Sequence, residues 1–85
     1  MLPPMNALTR NVQLSLADSP VSLRELARRS GVSHVQLARI VSGERNATEA
    51  VAVAVADALE AIAKESTKAA ARVRRSLTTH LRDVE

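Results

Sequence analysis

The chain has 85 residues, no cysteine and no aromatic residue, and its 12 Lys and Arg residues face 9 Asp and Glu residues. This length suits one small domain, and the lack of cysteine excludes disulfide bonds, thiolate metal sites and thiol nucleophiles. The longest apolar stretch, Ala50 to Ala56, is too short to span a membrane, and the N-terminal residues lack the cationic region and long apolar core that predict a signal peptide. We therefore expect a soluble cytoplasmic protein without a metal or a redox function.

Positive charge is concentrated at the two ends of the chain. Residues 1–45 and residues 66–85 each carry a net charge of +3, whereas residues 46–65 carry −3. Most of the cations are arginine, whose planar guanidinium group suits phosphate oxygens and guanine edges. This distribution predicts a polyanionic partner.

Helical patterns run along almost the whole chain, and their boundaries predict five helices. Leu8, Val12 and Leu16 recur at four-residue spacing, which predicts a first helix over about residues 5–17. Pro20 follows shortly after and prevents its continuation.

A second helix is predicted over about residues 23–30. Ser22 and Glu25 form an S-x-x-E capping box, in which each side chain accepts a hydrogen bond from the other residue's backbone amide. Gly31 then supplies the left-handed conformation that ends a helix without a steric penalty.

A third helix is predicted by the same kind of signal. Ser33 and Gln36 form an S-x-x-Q box, and Gly43 closes the helix after about Ser42. The second and third helices are therefore joined by a turn of about three residues.

Two further helices are predicted in the second half of the chain. A capping sequence at Asn46–Glu49 begins a fourth helix that runs to about Lys64, and Ser66 or Thr67 caps a fifth over about residues 68–83. Residues 50–56 alternate Val and Ala as a strand would, but alanine favours helix. The predicted apolar face of the fourth helix consists of Val51, Val55, Ala58, Leu59 and Ile62.

Two short capped helices around a glycine turn can form a generic helical hairpin or a DNA-reading helix-turn-helix. The segment LRELARRSGVSHVQLARIVSG, Leu23 to Gly43, adds a small Ala27 four residues before Gly31 and apolar residues after it. In this pattern the sequence resembles the Cro/C1-type (phage repressor-like) helix-turn-helix family, over about residues 5–62. The resemblance implies an all-α, lambda-repressor-like DNA-binding domain, here a five-helix bundle, with its third helix in the major groove.

Residues on the unburied side of the third helix are candidates for contacts to bases. Arg39 can pair with guanine and Gln36 with adenine, although the cap of Gln36 draws it towards Ser33. His34 is either a base contact or simply solvated. The predicted base-reading residues are Ser33, His34, Val35, Gln36 and Arg39.

Contacts to phosphates are expected at helix N-termini and in the segment after the third helix, which lies along the DNA backbone in the resembling family. The predicted phosphate contacts are Ser22, Arg28, Arg29, Ser42, Arg45, Asn46 and Thr48. Arg72, Arg74 and Arg75 form either a solvated helix face or a second DNA contact.

The fifth helix carries an apolar stripe that either dimerises the protein or packs back on its own domain. Because a core without aromatic side chains needs additional burial, we expect a homodimer, with help from Val53 or Ile62. The predicted organisation is a disordered segment 1–4, a DNA-binding domain 5–65 and a dimerisation element 66–85. The stripe consists of Ala70, Val73, Leu77, Leu81 and Val84.

These features favour a small dimeric autorepressor of phage or mobile-element type, with double-stranded DNA in the form of a palindromic operator as its partner. One alternative is the DNA-binding antitoxin of a toxin–antitoxin pair, and another is a helical interaction module that does not bind DNA. No spacing in the sequence pairs a nucleophile with a base, so we expect no enzymatic activity. We also expect no cofactor, no small-molecule ligand and no membrane association.

Overall fold

The computed structural model describes residues 6–83, which form four α-helices and no strand. They are α1 (Ala7–Ala17), α2 (Leu23–Ser30), α3 (His34–Val41) and α4 (Glu49–Asp83). The Val/Ala run of residues 50–56 is helical, as predicted. The disordered segment proposed for residues 1–4 and the stripe residue Val84 lie outside the described residues.

The predicted count of five helices is wrong, because the fourth and fifth form one continuous helix of 35 residues. No glycine or proline interrupts the sequence between them, and Ala, Lys and Glu around the proposed boundary favour helix. Thr67 does not act as a cap: its hydroxyl donates to the carbonyl of Ala63, 2.9 Å away and one turn earlier. A hydroxyl bonded in this way leaves the helix uninterrupted.

The start of α4 is set by Thr48. Its side-chain oxygen accepts a hydrogen bond from the Val51 amide at 3.2 Å, which satisfies one of the free amides at the helix N-terminus. Glu49 then adds negative charge to the first turn, where the helix dipole favours it.

The core lies where α1, α2, α3 and the first half of α4 meet. On α1, Val12 and Leu16 of the predicted apolar repeat are buried, whereas Leu8 is 38% exposed and its neighbour Thr9 is in the core. The fourth-helix face was predicted correctly, with Leu59 at its half-buried edge. The buried apolar residues are Val12, Leu16, Leu26, Ala27, Leu37, Ile40, Ala47, Val51, Val55, Ala58 and Ile62.

Beyond the core, α4 continues alone. The described residues measure 69 × 20 × 17 Å, and every described residue after Ile62 is exposed. The Arg29 guanidinium of α2 forms an ion pair with Glu65, near the point where α4 leaves the globular part. We call residues 63–83 the tail.

Candidate nucleic-acid interface

The turn between α2 and α3 has the conformation that the sequence predicts. Gly31 has φ 78°, in the left-handed region, and its amide donates to the Ala27 carbonyl at 3.0 Å. The small side chain of Ala27 is 8% exposed. Small residues at such positions let two helices approach closely, so the turn fixes α3 firmly against α2.

The N-terminus of α3 is capped by Ser33, whose side-chain oxygen accepts from the Gln36 amide at 3.1 Å. Leu37 and Ile40 are fully buried and hold one face of the helix on the core. With 3.6 residues per turn, the opposite face carries Val35 and Arg39.

The structure places four of the five predicted base-reading residues on the surface. Ser33, His34, Val35 and Arg39 are exposed, and Gln36 is half-buried. The hydroxyl of Ser33 already serves as the cap. His34, Val35 and Arg39 therefore form the freest outward surface, which we call the reader face.

The far end of α3 is held by a side chain of α1. The Gln13 amide group donates to the carbonyls of Ile40 at 2.7 Å and Val41 at 3.5 Å. These carbonyls lie in the last turn of α3, where helical partners are missing. Gln13 thus fixes the position of α3 relative to α1.

The linker from α3 to α4 is fixed at both ends. After α3, Gly43 has φ 84°, and the amides of Glu44 and Arg45 both donate to the Arg39 carbonyl, at 2.9 and 3.2 Å. Before α4, the Ala47 amide donates to the Thr9 side chain at 2.9 Å. These hydrogen bonds anchor the linker to α3 and α1 on either side of Asn46.

Neither Gln13 nor Thr9 was among the predicted functional residues. Their contacts join residues that are 27 and 38 positions apart. The one signal in the sequence is that two polar side chains, four residues apart, share the buried side of α1 with Val12 and Leu16.

The predicted phosphate contacts line the surface, but several already have intramolecular partners. Ser22 accepts from the Glu25 amide, and Thr48 caps α4. Ser42 donates to the Arg39 carbonyl at 3.1 Å. All seven predicted residues are exposed except Arg29, which is half-buried: Ser22, Arg28, Arg29, Ser42, Arg45, Asn46 and Thr48.

Two of the predicted cations are paired with acids. Glu25 forms a two-point ion pair with Arg28 instead of reaching back to the Ser22 amide, so the capping box is only half formed. The hydrogen bond from Arg28 holds the pKa of the Glu25 carboxyl below its ordinary value and raises the pKa of Arg28. Since Arg29 pairs with Glu65, Arg45 is the predicted phosphate-contacting cation that forms no ion pair among the described residues.

The apolar stripe of the tail is exposed along its described length. Val73, Leu77 and Leu81 are 66%, 53% and 60% exposed, and Ala70 is exposed as well. Ile62 is 5% exposed and belongs to the core of its own domain, so it is not available for an interface.

Within residues 6–83, no group of three or more His, Asp or Glu side chains is arranged to hold a metal ion. None of the described helices combines the length and the apolar character needed to cross a membrane.

Comparison with known families identifies the segment that contains these features. Residues 21–62 match the family model described as Helix-turn-helix, which covers α2, α3 and the first part of α4. No curated protein and no solved structure matches the chain significantly.

Proposed function

Because the chain belongs, through residues 21–62, to the Cro/C1-type helix-turn-helix family of DNA-binding transcription regulators, we propose that it is a homodimeric repressor that reads an inverted-repeat operator. Each copy inserts α3 into one major groove, and α2 crosses the DNA backbone. The observation that carries this proposal is the reader face, exposed on a helix held at both ends.

The reader face offers three different contacts to base edges. The Arg39 guanidinium can donate two hydrogen bonds to one guanine, and His34 can bond a base edge as donor or acceptor. Val35, which is 57% exposed, can contact a thymine methyl group. Arg45, on the linker, supplies a phosphate contact that fixes orientation without reading sequence.

Arg39→Ala and Arg45→Ala form a matched pair for testing these roles. Arg39→Ala should cost about 1 to 3 kcal/mol on the operator and relax the preference at one position of each half-site. Arg45→Ala should weaken the operator and scrambled DNA alike and lower the salt dependence. The measurement is fluorescence anisotropy on operator and scrambled duplexes, after a footprint on DNA flanking the encoding gene has located the operator. An equal loss on both duplexes for Arg39→Ala would refute base reading by α3.

Repression follows from occupancy alone. A protein bound across a promoter excludes polymerase from the same DNA and needs no catalytic step. A reporter gene under the operator should be silenced by the wild-type chain and released by Arg39→Ala. Higher expression in the presence of the wild-type chain would instead identify an activator.

The dimer is proposed to form through the apolar stripe of the tail. Burying a Val or Leu side chain completely stabilises an interface by about 1.5 to 3 kcal/mol. The exposed Val73, Leu77 and Leu81 of two copies therefore offer apolar surface whose burial would stabilise a dimer against the free-energy cost of association. Two-fold symmetry would then present two α3 helices to major grooves about 34 Å apart.

Charge introduced into the stripe tests the dimer. Leu77→Asp together with Leu81→Asp should give a monomer by sedimentation and should reduce binding to a palindrome to the level of a half-site. The control for sedimentation, Ser76→Asp together with Thr79→Asp, adds the same charge on another side of the tail and should sediment as a dimer. A wild-type chain that sediments as a monomer and binds both DNAs equally would disprove the dimer.

The same exposed stripe favours one second candidate, an antitoxin whose tail binds a toxin. Co-purification of the chain with a small unrelated protein encoded by a neighbouring gene, lost in Leu77→Asp, would support this candidate.

A further inference from the structure

The tail carries a second ordered surface, made of positive charge. Lys64, Lys68, Arg72, Arg75 and Arg82 follow one another at spacings of three, four and seven residues, which places them on one side of a helix. The stripe extends over about 27 Å along the helix axis. Thr79 fills the gap before the last arginine and lies with Arg72 and Arg75 around a shallow depression. We call these five cations the basic stripe.

The basic stripe is not neutralised by the protein itself. All five side chains are exposed, and among the described residues none of them forms an ion pair. Asp57 and Glu60 lie one to two turns before Lys64, Asp83 lines the same depression as Arg72 and Arg75, and Glu65 is paired with Arg29. A row of like charges on one helix face repels itself, so a polyanion bound along it would stabilise the tail.

The direction of the basic stripe follows from the residues that α4 buries. Taking 3.6 residues per turn, the stripe points about 120° away from the face that carries Val51, Val55, Ala58 and Ile62. That face rests on α2 and α1, and α3 makes its main contacts with these two helices rather than with α4. The basic stripe therefore does not point towards the side of α4 on which α3 and the reader face lie.

The basic stripe also points about 160° away from the apolar stripe of Val73, Leu77 and Leu81. A protein or second tail bound to the apolar stripe would leave the cations uncovered. The two surfaces of the tail can consequently be used at the same time.

We propose that the basic stripe binds the phosphate backbone of a second duplex segment, separate from the one that α3 contacts, so that one chain holds two stretches of DNA. Arginine and lysine side chains at intervals of about 5 to 10 Å along the tail match a polyanion with regularly repeated phosphates. This contact carries no sequence information and depends on salt. The contact by the basic stripe needs neither base reading nor a dimer, whereas the bridge also needs α3 to hold the first duplex and so rests on the proposed function.

An anionic membrane is the other polyanion that a basic amphipathic helix can bind, and the family match of this chain favours DNA over it. A helix lying in a lipid interface inserts its apolar side, usually with large aromatic or leucine side chains. The apolar stripe here contains no aromatic residue, and the helix-turn-helix match of residues 21–62 gives the chain a duplex as its partner, which favours DNA.

A bridging experiment with the full-length chain tests the proposal. A short biotinylated duplex on beads is loaded with protein, and capture of a fluorescent duplex of random sequence is then measured over a range of salt concentrations. The test variant is Lys68→Gln with Arg72→Gln and Arg75→Gln, since glutamine keeps helix propensity close to that of lysine and arginine. The control is Arg74→Gln, which removes an adjacent charge outside the stripe. Circular dichroism verifies that helix content is unchanged.

The wild-type chain should capture the second duplex, and the triple variant should lose at least ten-fold in capture. The slope of log K against log salt for the second duplex should fall by about 2 to 3 units in the triple variant. Arg74→Gln should bridge nearly as well as the wild type.

Three outcomes would overturn the proposal: no capture by wild-type chain that has been shown to be bound to the bead duplex, full capture by the triple variant, or stripe-dependent binding to phosphatidylserine vesicles with unchanged capture of DNA. Failure of α3 to read DNA is recognised separately, because it removes the difference between Arg39→Ala and the wild type and leaves the basic stripe intact.

Discussion

Replacing Thr9 by Val should weaken the fold by removing the one side-chain oxygen that pairs with the Ala47 amide. Thr9 is 1% exposed and Ala47 is 6% exposed, so water cannot replace the lost acceptor. Val and Thr have almost the same shape and similar helix propensity, and the substitution therefore isolates the hydrogen bond.

The expected size of the effect follows from two opposing terms. A buried amide without a partner costs about 1 to 3 kcal/mol, whereas burying a methyl group in place of the hydroxyl contributes about 0.8 kcal/mol of stability. The net loss is about 1 kcal/mol, which lowers the Tm of a domain of this size by about 4 to 8 °C. Because Ala47 ends the linker, DNA affinity should fall as well.

Thr78→Val is a matched control for this measurement. Thr78 lies on the exposed tail, and its hydroxyl donates to the Arg74 carbonyl at 3.0 Å, a bond that water can replace. Thermal unfolding followed by circular dichroism should show a lower Tm for Thr9→Val only. Equal Tm values for the two variants would refute the structural role assigned to Thr9.

Three further substitutions test the turn, an ion pair and the caps. Gly31→Ala should lower the free energy of unfolding by about 1 to 2 kcal/mol in chemical denaturation, and Gly31→Asn should lower it less. A Cβ at this position meets no atom within 4 Å, so the cost comes from the positive φ alone. Wild-type stability for Gly31→Ala would contradict the turn geometry. Folding lowers the pKa of the Glu25 carboxyl, so the ion pair with Arg28 stabilises the protein fully above the ordinary pKa of Glu25 and is lost as the pH falls through the lower folded-state pKa. Glu25→Gln should therefore flatten the acid side of a plot of Tm against pH. An unchanged plot would argue against the ion pair with Arg28. Because Thr48 caps α4, Thr48→Ala should lower the free energy of unfolding by about 1 kcal/mol. Ser66 lies inside α4, so Ser66→Ala should be neutral or slightly stabilising in the same denaturation assay. Equal losses for the two variants would point to a helix break at Ser66.

Features determined by a few neighbouring residues were predictable from the sequence. Ser22 and Ser33 cap α2 and α3, and Gly31 and Gly43 have positive φ. Each of these features depends on the local chemistry of a hydroxyl or a missing Cβ, which acts in the same way in any fold. The exposure of Arg39 followed from helical periodicity in the same way.

Other features depend on choices that local sequence leaves open. Ser66 and Thr67 can cap a helix or lie inside one, and the tertiary structure shows the second arrangement. Glu25 can bond the Ser22 amide or Arg28, and the guanidinium prevails because both partners are charged. Gln13 and Thr9 act across long sequence separations, so only the packing of α1 against the linker and α3 reveals them.

Because α4 is uninterrupted, the angle around the helix axis between its core-facing side in the DNA-binding domain and the two stripes of the tail is fixed. Each residue inserted between the last core residue, Ile62, and the tail stripes would turn both stripes by about 100° and advance them by about 1.5 Å. One added residue would thus aim the apolar and basic stripes in new directions, while seven added residues would return them to within about 20° of their present alignment. A flexible joint would tolerate an insertion of any length, whereas a continuous helix keeps the two stripes in their present directions only when the number of inserted residues is close to a whole number of turns.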